Sequence, residues 1–236
     1  MCGRYTLTSS GEELARHFEA QQSLDLRPRF NISPTQKVLA VRAGEGEEGP
    51  APQLTEFQWG LVPSWARDVS IGQRTFNARS ESVADKPSFR ESFRARRCLI
   101  PLTGFYEWPR GRSRRGPRWF HPAPTDGEIW AAAGLWDRWV RPEGGALETC
   151  TILTTRANEV VAETHDRMPV LLERSDYSRW LDPGTSAPGA LRGLLKPWPA
   201  RRTAARAVSD QVNDSRAEGP ALLMPAGPPP QGELFD

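Results

Sequence analysis

The sequence predicts an α+β fold: one domain built mostly on antiparallel strands, with short helices between them. Three observations predict it. Twenty-two prolines among 236 residues argue against long regular elements. Most apolar segments are short and strand-like, bounded by Gly, Pro, Asn or Asp. The helical patterns are few and brief, and no internal repeat links them.

In chain order, Glu12 to Ala20 reads as an amphipathic helix, with Leu14 and Phe18 four apart on one side. Gln36 to Arg42 and Leu54 to Trp59 read as strands, separated by the Gly/Glu-rich loop 43–52. Lys86 to Arg96 is expected to form a helix, and Cys98 to Trp108 one extended apolar run. The basic segment Pro109 to Pro117 reads as a solvated hairpin tip, followed by the aromatic strand Arg118 to His121. Ile129 to Trp139 and Thr149 to Thr155 complete the strands. Asn158 to Glu163 and Ser175 to Asp182 are short helices. Everything past Met224, with Pro228-Pro229-Pro230, reads as a flexible tail.

The formal charge is 31 minus 29, or +2, so bulk charge advertises no nucleic-acid partner. Any such partner must be held by locally arranged arginines. Arginine far outnumbers lysine, which occurs only at Lys37, Lys86 and Lys196. Three cysteines, Cys2, Cys98 and Cys150, suggest neither a disulfide scaffold nor a Cys-x-x-Cys metal site. Cys98 and Cys150 sit in strand-like runs and read as buried small hydrophobes. No signal-peptide core opens the chain and no run is long enough to span a bilayer. A reduced cytosolic compartment is expected, which keeps the Cys2 thiol free.

Cys2 carries the most information. Removing the initiator methionine makes it the terminal residue, with two nucleophiles. Its amine has a reference pKa of about 8 and its thiol of about 8.5, so both are partly deprotonated near neutrality. An aldehyde meeting that pair forms an imine, which the sulfur closes into a five-membered thiazolidine. An incidental terminal cysteine is the alternative.

Four further segments make unusual residue choices. Arg29-Phe30-Asn31-Ile32-Ser33-Pro34 reads as a turn able to bring polar groups against the N-terminus, or as ordinary loop punctuation. In Phe76-Asn77-Ala78-Arg79-Ser80-Glu81, Asn77 could orient a substrate and Arg79 clamp a phosphate; a capping asparagine beside a surface arginine is the competing view. Gly104-Phe105-Tyr106-Glu107-Trp108 sets a carboxylate among aromatics. Desolvation there would raise its pKa and suit acid–base work, unless strand alternation turns it to solvent. In Thr164-His165-Asp166-Arg167-Met168-Pro169, His165 can exchange a proton near neutrality with Arg167 alongside for an anion, or serve structure alone. In Trp59-Gly60-Leu61-Val62-Pro63-Ser64-Trp65, Trp59 is expected in the core and Trp65 on the surface. A stacked base there is worth roughly 1–3 kcal/mol.

Taken in order, Met-Cys-Gly-Arg, Arg-Phe-Asn-Ile-Ser-Pro, Trp-Gly-Leu-Val-Pro, Asn-Ala-Arg, Gly-Phe-Tyr-Glu-Trp and His-Asp-Arg-Met-Pro resemble the SRAP family. These are the abasic-site processing proteins also called SOS response-associated peptidases. The resemblance runs from Cys2 to about Leu223 and implies a single barrel-like domain over 1–223 with a tail over 224–236. It implies a sensor that covalently traps abasic sites in single-stranded DNA and needs no cofactor or metal. Carried over residue by residue, Cys2 is the nucleophile, and Asn77, Glu107 and His165 complete the catalytic site. Arg4, Arg79 and Arg167 match phosphate-binding positions and Trp65 a position packing against bases. A cytoplasmic monomer at replication forks is expected, with no membrane partner.

Two other enzyme classes stay open: an N-terminal-cysteine thiol peptidase, and a class II glutamine amidotransferase, which shares the Met-Cys-Gly start. The latter's glutamine-binding arginine and Asn-Gly/Gly-Asp arrangement have no counterpart here. A noncovalent single-strand binder is the third alternative. Finally, Gln231, Leu234 and Phe235 in the last residues resemble the pentapeptide by which bacterial repair proteins dock the sliding clamp.

Overall fold

The computed structural model describes residues 2–44, 51–109, 116–123, 128–185 and 187–226. Gln231, Leu234 and Phe235 lie outside the described residues, as does most of the expected hairpin tip.

The strands in chain order are β1 (Tyr5–Leu7), β2 (Arg29–Ile32), β3 (Lys37–Ala43), β4 (Pro52–Trp59), β5 (Asn77–Arg79), β6 (Arg97–Leu102) and β7 (Gly104–Glu107). They continue with β8 (Arg118–Pro122), β9 (Trp130–Val140), β10 (Ala146–Arg156), β11 (Arg167–Pro169), β12 (Leu171–Leu172) and β13 (Thr203–Ala207). The α-helices are α1 (Gly11–Phe18), α2 (Arg90–Ala95), α3 (Glu159–Ala162), α4 (Tyr177–Leu181) and α5 (Pro188–Arg192).

Five strands close on themselves. β10, β4, β3, β6 and β9 pair in that order, and β9 meets β10 again. Every pair in the ring is antiparallel except β4 with β10, where Thr149 lies opposite Gln58 and Cys150 opposite Trp59. A barrel this narrow is filled by side chains rather than hollow. β6 is buried along its whole length, and β10 from Thr149 to Thr155. Both faces of these strands are therefore covered. Cys98 and Cys150 are fully buried, and so is Trp59, whose indole N–H donates to the Phe76 carbonyl at 2.7 Å.

β5 extends the β4 edge of β10 in parallel, from Asn77 opposite Ile152 to Arg79 opposite Thr154. β11 takes the opposite edge, antiparallel. A second, antiparallel sheet runs β13, β8, β7, β1, β2. The expected fold class holds: an α+β barrel with a few short helices.

Three local expectations are corrected. The apolar run Cys98 to Trp108 is not one strand. It breaks at Thr103, where β6 leaves the barrel and β7 enters the second sheet. Thr103 is the pivot: its N–H donates to the Thr6 carbonyl at 2.8 Å, and its hydroxyl meets those of Thr6 and Thr8 at 3.1 and 3.2 Å. Gly104 follows because a Cβ there would sit 2.4 Å from the Trp119 indole nitrogen. The helix expected over Lys86 to Arg96 is confined to Arg90–Ala95. Lys86 precedes Pro87, whose ring disfavours helical backbone before it, so the chain winds through turns first. Arg29–Ile32 is strand rather than turn, and only Pro34 begins the punctuation.

The helix read as Glu12 to Ala20 forms over Gly11–Phe18, buries Leu14 and Phe18, and starts with a capping box between Ser10 and Glu13. Beyond β13, the segment through Leu223 packs Val208 and Val212 against Tyr106 and Trp119 of the second sheet. Pro225 bridges to Val208, and the Ala226 N–H donates to Ala207.

Candidate active site

Cys2 lies just ahead of β1, and its setting follows from the pairing of that strand. Tyr5 opposes Phe105 and Thr6 opposes Gly104, so continuing the ladder carries residues 2–3 alongside Glu107 at the end of β7. The Tyr106 N–H, which donates to the Arg4 carbonyl at 2.9 Å, extends the pairing that far. Cys2 is fully buried and Glu107 is 3% exposed. Burial pushes the Cys2 thiol pKa well up, and the charge of nearby Glu107 adds to it. Strand alternation thus turns Glu107 inward, not to solvent.

From the barrel side, Asn77 opens β5. Its amide Nδ2 donates to the Cys2 carbonyl at 2.7 Å, and its Oδ1 is buried with no hydrogen-bond partner. Cys2 is therefore gripped from the barrel while lying beside the second sheet.

His165 sits in the turn between α3 and β11. The backbone N–H of His165 donates to Val161, and Ala157 donates to the Asp166 carbonyl, which fixes the loop. The ring is buried. The Arg167 N–H donates into Nδ1 at 3.0 Å, which leaves the proton of the neutral ring on Nε2. The same Nδ1 lies 3.2 Å from Asp166 Oδ1.

What ties this turn toward Glu107 is Arg118. It lies directly opposite Glu107 in the β7–β8 pairing, and its Nη1 reaches Glu163, two residues before His165, at 3.1 Å. Sequence reasoning missed Arg118, because its role depends on a strand register that no local spacing encodes. It also missed Glu81. The Arg167 guanidinium forms a fork to both Glu81 oxygens at 2.7 and 2.9 Å and donates to the Thr154 carbonyl at 2.6 Å. That hydrogen bonding lowers the Glu81 pKa.

Arg79 is exposed, two residues from Asn77 and on the same face of β5. Arg4 is committed internally: Nη1 donates to Asn31 Oδ1 at 2.7 Å and to the Val212 carbonyl at 2.8 Å. Asn31 in turn donates to the carbonyls of Asp214 and Ala217, so the Arg29–Pro34 segment does bring polar groups against the N-terminal strand. Trp65 is 57% exposed. Its loop is held by the Ser64 N–H on Asp137 at 3.1 Å and by the Trp139 indole on the Ala66 carbonyl at 2.7 Å. No group of three His, Cys, Asp or Glu side chains suited to a metal occurs among the described residues. No described helix is long and apolar enough to cross a membrane.

Comparison with known proteins places the chain in a family. The sequence is 38% identical over 229 residues to the abasic site processing protein YoqW of Bacillus subtilis (strain 168), covering 94% of this chain and 99% of that protein. It is 31% identical to the abasic site processing protein HMCES of Gallus gallus, over 84% of this chain and 66% of that one. A crystal structure of a protein from Bacteroides thetaiotaomicron is similar with a TM-score of 0.81 at 25% identity, covering 95% of this chain and 100% of that chain. One from Bordetella bronchiseptica gives 0.74 at 27% identity, over 88% and 100%. The family model for the SOS response associated peptidase (SRAP) matches residues 1–215. The chain belongs to the SRAP family.

Proposed function

We propose that this protein senses abasic sites in single-stranded DNA and seals them in a covalent thiazolidine through Cys2, once Met1 is removed. The observation that carries this reading is the grip of Asn77 on the Cys2 carbonyl beside a buried Glu107. Such a grip fixes the terminal amine and thiol together, which a peptidase using the thiol alone does not require. The abasic-site names of the relatives support a role at abasic sites.

The steps balance without a cofactor. The abasic deoxyribose is mostly a closed hemiacetal, and His165 assists its opening by proton transfer at the ring oxygen. The Cys2 amine attacks C1′ and gives a carbinolamine, which loses water to an imine as Glu107 relays the protons. The S–H then adds across C=N: sulfur bonds to carbon, and the thiol proton ends on nitrogen. One water leaves overall. A thiol held protonated by burial suits this order, since the amine acts first and sulfur is needed only at closure. Closure matters because an open imine invites β-elimination and strand scission. Arg79 and Arg167 hold backbone phosphates, Arg4 keeps to its internal bonds with Asn31 and Val212, Trp65 stacks on a base, and none of these contacts reads sequence.

Intact mass spectrometry after mixing with an abasic oligonucleotide tests the reading. The expected product is the Met1-free chain plus the oligonucleotide less one water. Cys2→Ala should give no heat-stable adduct, and a stable adduct from that variant overturns the mechanism. The Gln231 to Phe235 segment is assigned to sliding-clamp docking; deleting the last six residues should abolish clamp pull-down.

A further inference from the structure

Past Arg167, the edge of β10 opens into a cavity of about 410 Å³ lined by Glu81, Thr155, Arg156, Arg192 and Lys196 among others. A second cavity of about 390 Å³ shares Arg156 and Pro197 with it and continues past Asn158 and Glu159. Together they form one cleft between the C-terminal end of β10 and the segment that follows α5.

The cleft is built into the fold. Thr155 donates its hydroxyl to the Leu195 carbonyl, and the buried Asn158 amide donates to the Trp198 carbonyl at 2.9 Å and to the Thr203 hydroxyl at 3.0 Å. Those bonds fasten the 195–203 segment against β10. The charge in it is one-sided. Glu81 is engaged by the Arg167 fork, whereas Arg156, Arg192 and Lys196 are exposed and form no ion pair among the described residues. Glu159 is the acidic group of the second cavity.

The cleft is also in line with the candidate active site. Asn77, which holds Cys2, lies opposite Ile152 of β10, and Arg156 at the cleft lies four residues further along that strand, about 13 Å at about 3.3 Å per residue. A single strand whose abasic residue meets Cys2 covers that distance in a few nucleotides.

We propose that this cleft binds the phosphodiester backbone of the same single strand, with Arg192 and Lys196 taking phosphates a few nucleotides to one side of the lesion. The inference rests on the abasic-site reading above and extends its footprint. Point-charge and fork contacts of this kind give affinity and salt dependence without base preference.

The test uses the full-length chain carrying Cys2→Ala, so that binding is noncovalent. Fluorescence anisotropy compares oligonucleotides with a lesion analogue and about six extra nucleotides on the 5′ side, on the 3′ side, or on neither. In the Arg192→Gln/Lys196→Gln variant, affinity should fall about tenfold for one of the two extended oligonucleotides. The slope of log affinity against log salt for that oligonucleotide should shrink by about 1.4, at about 0.7 per lost phosphate contact. Arg192→Lys/Lys196→Arg should bind as the parent does. An unchanged affinity, or an equal loss for all three oligonucleotides, overturns the groove. If the unsubstituted chain neither binds nor crosslinks any of the three, the abasic-site reading itself fails.

Discussion

Asn77 of the barrel side donates its amide to the Cys2 carbonyl at 2.7 Å, so Cys2 is positioned by a strand from another sheet. Asn77→Ala should slow crosslinking about 100-fold, since a shift near 1 Å in a reacting group costs about that much. Stability should drop by only about 1–3 kcal/mol for the carbonyl left unpaired. Denaturing gels over time, beside thermal melts, separate the two effects.

His165 takes the Arg167 N–H into Nδ1, which leaves the neutral ring's proton on Nε2. His165→Ala should reduce the crosslinking rate about 10²–10⁴-fold, the range for losing a general acid or base. Single-strand affinity, measured in a Cys2→Ala background, should stay within about twofold. A parallel loss of affinity would assign His165 to binding instead.

The Glu81–Arg167 fork predicts a competition. Glu81→Gln releases a guanidinium for phosphate and should tighten single-strand binding several-fold, most visibly at low salt. Stability should change little, because an ion pair with one exposed partner contributes about 0–1 kcal/mol. The Glu81 pKa is lowered in the fold, so its contribution is present above the ordinary value near 4.5. It is lost as pH falls through the lower folded value, and the melting curves of variant and parent should converge there.

Trp65 is exposed while its loop is anchored by Asp137 and Trp139. Trp65→Ala should leave the melting temperature nearly unchanged and weaken single-strand binding by about 1–3 kcal/mol, the worth of one stacked base. Anisotropy titrations and a thermal melt of the same sample check both halves.

Alkaline pH should unfold this protein early. Burial raises the thiol pKa values of Cys98 and Cys150 in the folded state. Below the ordinary thiol value near 9.0, both states keep the proton and nothing is lost. Above it, only the unfolded chain ionises freely, so stability falls by about 1.4 kcal/mol per pH unit for each thiol. Urea midpoints between pH 8 and 10.5 should show that slope, and Cys98→Ala should flatten it.

Much of the fold was legible in the sequence where its cause is local. The Ser10–Glu13 capping box and the Leu14/Phe18 spacing mark α1, and Trp59 and Trp65 divide into core and surface as their neighbours suggest. Barrel closure was not legible as such. The parallel meeting of β4 and β10 joins segments about 90 residues apart, and nothing within either strand specifies its partner. The break at Thr103 was hidden because the apolar run continues straight through it. In the site, residue types around Cys2, Asn77, Glu107 and His165 stood out, whereas Arg118 and Glu81 gain their places only from register.

The two-sided hold on Cys2 makes chemistry conditional on assembly. A terminal cysteine on a nascent or unfolded chain carries the same amine and sulfur, yet has neither Asn77 above it nor Glu107 beside it. Such a chain would meet aldehydes only at the sluggish pace of a free peptide. On the thiazolidine reading, half-made copies would do less bystander damage, because the hold on Cys2 exists only in the folded chain.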